Sequence, residues 1–365
     1  MTLQNQVKSW IIFFAVTVII LWAFRGILLP FVVGLALAYL LDPVTDKLET
    51  WKFSRFWATT VVMLIVSTLV VGSFFLFVPL LTQQIVGLAD RLPGYIAQLQ
   101  VLANQWAPEI YAFLGESRIE QLEGGLSDMA GRGLGIAGNL LAQIMQSGLT
   151  FINALGLLIV TPVVAFYMLL DWDSMVASIN KLLPRKHQEE IQGVLKDIDK
   201  AMAGVIRGQV SVVLILSVFY ATALTLTGLS FGLAIGLISG LLSFIPYVGF
   251  LVGLVLSIGV ALVQFWPDWV MVLIVLTIFM AGQFLEGNIL YPKLVGSSIG
   301  VHPVWLMFSL FCFGLIFGFV GLLLAVPMVA IGGVLVRFAV RKYQESPLYL
   351  GTNNGKDVAN NKSKS

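Results

Sequence analysis

The stretch SFGLAIGLISGLLSFIPYVGFLVGLVLSIGVALVQF, residues 230–265, contains no charged residue. As a single helix it would be about 54 Å long, which is too long for one crossing of a ~30 Å hydrocarbon core and barely enough for two. Its middle contains Pro246, which removes a backbone donor, and Gly249, which permits a sharp turn. Broken backbone at membrane depth is tolerated only where protein or a wet cavity satisfies it. The stretch therefore predicts a broken membrane segment that turns between Pro246 and Gly249.

A second overlong segment, residues 304–336, carries its own potential helix breakers. These breakers are Gly314, Gly318, Gly321 and Pro327. Two overlong, glycine-rich and proline-interrupted segments in one half of a membrane protein indicate discontinuous helices around a transport site.

The composition of the chain is that of a membrane protein. Hydrophobic residues make up 58% of it, charged residues 11%, and the mean hydropathy is +0.94, far from the averages of soluble proteins. The net charge of +2 is too small to indicate a nucleic-acid partner. Cys312 is the only cysteine, which excludes disulfide frameworks and thiolate metal sites. We predict an all-α, polytopic membrane protein with about eight membrane segments, two of them broken or re-entrant, and no resident cofactor.

Further apolar runs mark the other membrane segments. Residues 10–24 and 27–41 predict a short hairpin or a tilted pair, because each would be only ~22 Å long as a helix. Residues 56–81 are long enough to cross, and Pro79 would end or kink that helix. Residues 148–170 predict another crossing.

Polar and charged residues divide the chain between these runs. The following regions are predicted: 1–81, N-terminal membrane helices; 82–147, an extramembrane helical insert; 148–171, a membrane helix; 172–208, a cytoplasmic charged helix; 209–342, a C-terminal transport core; and 343–365, a disordered cytoplasmic tail. Lysine and arginine cluster in two connections and in the C-terminal tail, and an eight-crossing arrangement places all three clusters in the cytoplasm. Both termini are then expected to be cytoplasmic, with the insert on the other side of the membrane.

A carboxylate stands at the end of an apolar run in FLEGNILYPK, residues 284–293. A carboxylate in hydrocarbon costs several kcal/mol unless it is paired, protonated or wetted, so Glu286 is a candidate functional residue. Gln283 lies three residues earlier and would share its helix face. Alternatively, Glu286 lies just outside the bilayer and pairs with Lys293.

Small residues also recur at a regular spacing. Glycine occupies every fourth position at Gly228, Gly232, Gly236 and Gly240. This spacing favours close packing of helix backbones or association of subunits.

Two short patterns match enzyme motifs without their structural context. Residues 133–138 fit GxGxxG, but the βαβ unit that a dinucleotide site needs is not indicated. Residues 296–300 fit GxSxG with His302 nearby, but a nucleophile elbow needs an α/β sheet. We therefore expect a protein that is not an enzyme, with an intramembrane serine hydrolase as the remote alternative.

Several short motifs occur together along the chain. They are Pro30-Phe31, Pro246-Tyr247-Val248-Gly249, Glu286-x-Asn288-x-x-x-Pro292-x-x-x-Gly296, His302-Pro303, and Gly314 through Gly321 to Ala325-x-Pro327. In combination they resemble the bacterial autoinducer-2 exporter family of permeases. The resemblance covers nearly the whole chain. It implies an oligomeric, multi-pass transporter of the bacterial cytoplasmic (inner) membrane. Members of the family have been linked to export of the quorum-sensing signal autoinducer-2, and some relatives to sodium or lithium exchange for protons.

A transport mechanism by alternating access follows as a hypothesis. The segments 230–265 and 304–336 would enclose a site near the middle of the membrane, with half-helix ends facing substrate or ion. Glu286, with Gln283 nearby, would bind a proton or sodium ion. A neutral polyhydroxylated solute would bind the amides and hydroxyls of Asn288, Ser239, Ser243 and Tyr247. His302 is either a titratable site residue or a helix cap.

Other residues are predicted to shape the broken helices or to gate the pathway. They are Pro246, Gly249, Pro292, Gly296, Pro303, Gly318, Gly321 and Pro327. The alternatives to a secondary transporter of a small polar molecule are a sodium (lithium)/proton antiporter and an oligomeric channel-like or scaffolding membrane protein.

Overall fold

A computed structural model describes residues 3–114, 148–296 and 300–350 of the chain. The helices, in chain order, are α1 (Leu3–Ala23), α2 (Leu28–Thr50), α3 (Arg55–Leu114), α4 (Gly148–Leu182), α5 (Gln188–Leu226), α6 (Gly232–Leu242), α7 (Val248–Phe265), α8 (Trp269–Phe284), α9 (Pro303–Phe317), α10 (Phe319–Gln344) and α11 (Pro347–Leu350). A π-helix, Leu285–Gly296, continues α8. No residue in the described ranges lies in a β-strand, which confirms the all-α prediction.

Most of these helices are apolar enough to lie in a bilayer. Within the described ranges, seven stretches are long and apolar enough to cross a membrane: Arg25–Thr50, Arg55–Tyr95, Gly156–Leu182, Gln188–Leu226, Val248–Phe265, Trp269–Val295 and Phe319–Gln344. The apolar helices α6 and α9 are shorter. The prediction of a polytopic α-helical membrane protein is confirmed.

Helix α3 extends beyond its predicted end. It continues without interruption through Pro79 to Leu114. Of the two predicted effects of Pro79, an end or a kink of the helix, the end is therefore wrong. Apolar residues stand on both sides of the proline, and the proline removes only one backbone donor from a long helix. The first part of the predicted insert thus belongs to α3, whereas residues 115–147, with the GxGxxG pattern, lie outside the described residues.

Both overlong segments are interrupted. Helix α6 ends at Leu242 and α7 begins at Val248, which confirms the predicted break around Pro246. Tyr247 has a left-handed backbone with φ of 69°, a conformation that side chains with a Cβ seldom adopt.

The second break lies at a glycine. Gly318, with φ of 63° and ψ of −137°, separates α9 from α10. Only glycine adopts such a backbone without substantial strain. Helix α10 continues through Gly321 and Pro327, so the prediction that these two residues break the segment is wrong. Gly321 instead packs closely against the carbonyl of Phe313.

The regularly spaced glycines pack α6 against α5. A Cβ added to Gly236 would overlap the backbone of Ala221, and one added to Gly240 would overlap the backbone of Ser217. Gly228 precedes the helix and has φ of 71°, so it forms a turn instead. The close approach matches the predicted small-residue packing for the helical members of the series.

Residue contacts divide the chain into two compact units. The first unit contains Met1–Pro43, Tyr167–Gly208 and Pro292–Ser365, and the second contains Val44–Phe166 and Gln209–Tyr291. Within the first, α9 packs against α10, and Arg25 Nη1 donates to the carbonyl of Ile316 at 3.3 Å. Within the second, α7 packs against α6, α8 and α3. The candidate site described next is built from residues of the second unit.

Candidate functional site

Glu286 is a buried carboxylate in an apolar segment. Only 4% of the residue is exposed, and it lies within the apolar stretch Trp269–Val295. Among the described residues, no lysine or arginine forms an ion pair with it. A buried charge without a partner is costly, so this position favours a protonated carboxyl, a bound cation or contact with water.

The backbone around Glu286 is unusual as well. The α-helix changes to a π-helix at Leu285, one residue before the carboxylate. Such π-helical turns are rare and occur frequently at functional sites. The change adds a residue to each turn, so side chains after Phe284 no longer follow the α-helical register of α8.

Gln209 connects the π-helix to the break between α6 and α7. Its Nε2 donates to the carbonyl of Phe244 at 2.8 Å and to that of Ser243 at 3.2 Å. Its Oε1 accepts from the hydroxyl of Tyr291 at 3.3 Å. Gln209 is only 1% exposed. A buried side chain therefore supplies the hydrogen-bond donor for the two carbonyls at the break, a donor that lipid cannot supply.

Two tyrosines lie within electrostatic range of Glu286, namely Tyr220 and Tyr291. Tyr220 is fully buried, and its ring stacks on Phe279 with a centroid distance of 4.8 Å. Its hydroxyl has no hydrogen-bond partner among the described residues. The hydroxyl lies against Gly282, where a Cβ would overlap it.

Gln283, three residues before Glu286, has a buried polar atom as well. Its Oε1 is buried and, among the described residues, has no hydrogen-bond partner. We name the five side chains Gln209, Tyr220, Gln283, Glu286 and Tyr291 the Glu286 cluster. The cluster offers carboxylate, amide and phenol oxygens, which suit a proton or a hard cation. Within the described ranges, no group of three or more His, Cys, Asp or Glu side chains is placed to hold a metal ion.

The two predicted serines are buried, but each donates its hydroxyl hydrogen bond to a backbone carbonyl four residues earlier in the chain. Ser239 donates to the carbonyl of Ile235 at 2.6 Å, and Ser243 donates to the carbonyl of Ser239 at 3.0 Å. Gly249 and Gly253 of α7 pack directly against these two serines. The serines therefore contribute first to the close packing of α6 and α7.

The remaining predicted residues are not members of the buried cluster. Asn288 is exposed, and its Nδ2 donates to the carbonyl of Phe284 at 3.2 Å. Tyr247 is 46% exposed, although it lies within electrostatic range of Tyr291. His302 is the N-cap of α9, where its Nδ1 accepts from the amide of Val304 at 3.4 Å.

The predicted gating residues occupy the ends and interruptions of helices. Pro292 lies inside the π-helix, Gly296 ends it, and Pro303 begins α9. Ser297 and Ser298 of the GxSxG pattern lie outside the described residues.

Sequence reasoning missed Gln209, Tyr220 and Tyr291. Gln209 stands at the start of an apolar run, where a polar residue is ordinarily assigned to the membrane surface. Tyr220 lies within that run, and Tyr291 was part of the quoted stretch without a role. The sequence signal for these three residues was a polar side chain inside or next to an apolar run.

Comparisons with known proteins agree with this architecture. A family model described as AI-2E family transporter matches residues 11–341. The chain is 29% identical over 333 residues to YrrI of Bacillus subtilis (strain 168), whose name describes a transport protein, covering 88% of this chain and 89% of YrrI. It is 28% identical over 315 residues to PerM of Escherichia coli (strain K12), whose name describes a permease, covering 85% and 86% of the two chains. It is also 24% identical over 324 residues to the AI-2 transport protein TqsA of Escherichia coli (strain K12), covering 88% and 89%.

Proposed function

The chain belongs to the AI-2E transporter family, and on that premise we propose that it is a secondary transporter that exports a small polar molecule from the bacterial cytoplasm. Glu286 is the residue that binds a proton or cation during transport. The burial of this carboxylate without an ion-paired lysine or arginine among the described residues supports the proposal most directly. An intramembrane ionisable residue is retained at such cost chiefly where it serves transport.

The proposed cycle uses alternating access. Discontinuous helices supply partial charges at their ends and hinges that change conformation, and this chain has breaks at residues 243–247 and at Gly318. The shared hydrogen bonds of Gln209 connect the first break to the π-helix that carries Glu286. A change in the charge of Glu286 would therefore be felt at the break through Tyr291 and Gln209.

The proposed solute is small, neutral and rich in hydroxyl groups, as autoinducer-2 is. The relative TqsA is named an AI-2 transport protein, and it aligns over most of both chains. Phenol, amide and serine groups in this part of the chain are suited to such a solute, and Tyr220 and Gln283 have buried polar atoms without hydrogen bonds to described residues. Buried polar atoms of this kind favour a polar ligand or water as their partner.

Purified protein in liposomes tests the role of Glu286. Uptake of labelled autoinducer-2 is measured across a pH range with and without an imposed proton gradient. The Glu286→Gln variant removes the charge at nearly constant volume and is expected to abolish coupled uptake while expression and assembly stay normal. Glu189→Gln, which changes an exposed carboxylate on α5, is the matched control. Wild-type coupled uptake by Glu286→Gln would refute the proposed role.

Exchange of sodium or lithium for protons is the second candidate function. The oxygen-rich Glu286 cluster favours it, because hard cations bind carboxylate and neutral oxygen ligands. The same liposomes, loaded with a pH-sensitive dye and exposed to sodium or lithium, measure this exchange. Cation-driven proton release without autoinducer-2 uptake would select the antiporter, and solute flux without proton coupling would select a channel-like protein.

A further inference from the structure

A basic cavity lies in the first unit and shares no residue with the Glu286 cluster. Its volume is about 450 Å³, within the range of small-ligand sites. Three cationic side chains line it, Lys200 of α5 and Arg337 and Arg341 of α10, with Asp197 as the acidic residue of its lining. The formal charge of the lining is therefore positive.

The floor of this cavity is apolar. Val194, Ala201 and Val334 line it and are 8%, 5% and 6% exposed, respectively. Phe338 completes the apolar lining, and its ring lies 5.6 Å from the guanidinium carbon of Arg341. A ligand in the cavity thus meets cations at the rim and hydrocarbon at the base.

The position of the cavity along α10 matches a membrane surface. Val334, Arg337, Phe338 and Arg341 follow one another at helical spacing on one face, and the first arginine directly follows the apolar run that ends at Val336. Basic side chains at the end of a membrane helix lie at the depth of lipid headgroups.

Lys200 and Arg341 differ from a neighbouring lysine in their ion-pair partners. Among the described residues, neither Lys200 nor Arg341 forms an ion pair with an acid. The neighbouring Lys342 differs, because it is paired with Glu190 and also with Glu345 at 3.2 Å. Lys200 and Arg341 are therefore available to a negatively charged ligand in a way that Lys342 is not.

We propose that the basic cavity binds an organic phosphate at the membrane surface. The phosphate would lie between Lys200, Arg337 and Arg341, since guanidinium and ammonium groups form strong charge-assisted hydrogen bonds with phosphate oxygens. The apolar floor would hold the attached glycerol or acyl carbons. The ligand is either the headgroup of an anionic phospholipid or a soluble phosphate ester of the same chemistry.

Native mass spectrometry of the full-length protein in detergent tests this site. The probes are dihexanoyl phosphatidylglycerol, glycerol 1-phosphate and, as the zwitterionic lipid, dihexanoyl phosphatidylcholine. The double variant Lys200→Gln/Arg341→Gln is expected to weaken phosphatidylglycerol binding by about tenfold or more, because charge-assisted hydrogen bonds are lost. Lys342→Gln is the matched control and is expected to bind as the wild type does. Asp197→Asn is expected to bind more tightly, which gives a test of opposite sign if the double variant fails to fold.

The probes distinguish the two sources of phosphate. Binding of phosphatidylglycerol but not glycerol 1-phosphate identifies a lipid site, whereas competition by glycerol 1-phosphate identifies a site for soluble phosphate esters. Equal affinity of wild type and double variant for phosphatidylglycerol would overturn the proposal. Phosphatidylcholine binding as tightly as phosphatidylglycerol, or an equal loss in Lys342→Gln, would overturn it too.

Discussion

The amide of Gln209 donates a hydrogen bond of 2.8 Å to the carbonyl of Phe244, between the end of α6 and the start of α7. The same side chain accepts from Tyr291 on the π-helix. One buried residue of α5 therefore stabilises the interrupted segment and connects it to the helix that carries Glu286. An unpaired carbonyl in apolar surroundings would cost about 1–3 kcal/mol, which explains why a glutamine is placed there.

Replacing Gln209 with leucine is expected to destabilise the protein. The change leaves the carbonyls of Ser243 and Phe244 without their donor, with an expected loss of about 2–4 kcal/mol in the free energy of unfolding. Thermal unfolding in detergent, followed by size-exclusion chromatography, measures the loss. Gln192→Leu on the same helix, with a half-buried side chain, is the control. An unchanged unfolding midpoint for Gln209→Leu would show that the hydrogen bonds add no stability.

Gly282→Ala is expected to disturb the packing of Tyr220. A Cβ at this position would overlap the tyrosine hydroxyl and ring, and overpacking of a buried contact costs about 1–3 kcal/mol. The unfolding midpoint should fall, and combining the change with Tyr220→Leu should restore part of it, since the smaller side chain makes room. Gly259→Ala, which meets open space on α7, should leave the midpoint unchanged. Additive effects of Gly282→Ala and Tyr220→Leu would contradict direct contact.

Gly318→Ala tests the second break. With φ of 63° and ψ of −137°, this residue has a backbone conformation that would cost alanine about 1–3 kcal/mol. Alanine should therefore lower the thermal midpoint in detergent. Gly332→Ala, in α10 and with open space at the Cβ position, should not lower it and is expected to favour the helix slightly. Equal midpoints for the two variants would indicate that α9 and α10 rearrange without strain.

Asn288→Ala tests whether transport requires this exposed residue as well as the buried Glu286 cluster. The asparagine is exposed and bonds to its own helix at the carbonyl of Phe284. Its replacement is expected to keep the transport rate in liposomes within about twofold of wild type, as for an exposed surface substitution. Glu286→Gln should lose coupled transport in the same assay. A loss with Asn288→Ala as large as that with Glu286→Gln would restore the asparagine as a binding residue.

The broken segments were predictable because proline, glycine and excess length are local signals. Residues 230–265 are too long for one crossing, and the break falls beside Pro246. The outcome at Pro79 and Pro327 was different, since both prolines lie within continuous helices. A proline removes one backbone donor, and neighbouring helices or adjusted backbone can compensate for that loss in a membrane helix.

The Glu286 cluster was only partly predictable. Glu286 and Gln283 can be recognised from the sequence, because a polar side chain in or next to an apolar run is energetically costly and marks a candidate functional site. Gln209 and Tyr220 are distant from them in sequence, and their proximity depends on how α5, α6 and α8 pack. Asn288, two residues from Glu286, is exposed, because residues i and i+2 of a helix do not share a face.

The sequence by itself determined that this protein is an all-α membrane protein with two interrupted segments and a carboxylate in an apolar helix. Those properties follow from composition, the lengths of apolar runs and single residues, which act locally. The tertiary structure decided which polar groups surround Glu286, which glycines serve close packing and which side chain satisfies the break near Phe244. These depend on contacts between residues far apart in the chain, because buried polar groups require partners that only the packing of helices brings within hydrogen-bonding distance.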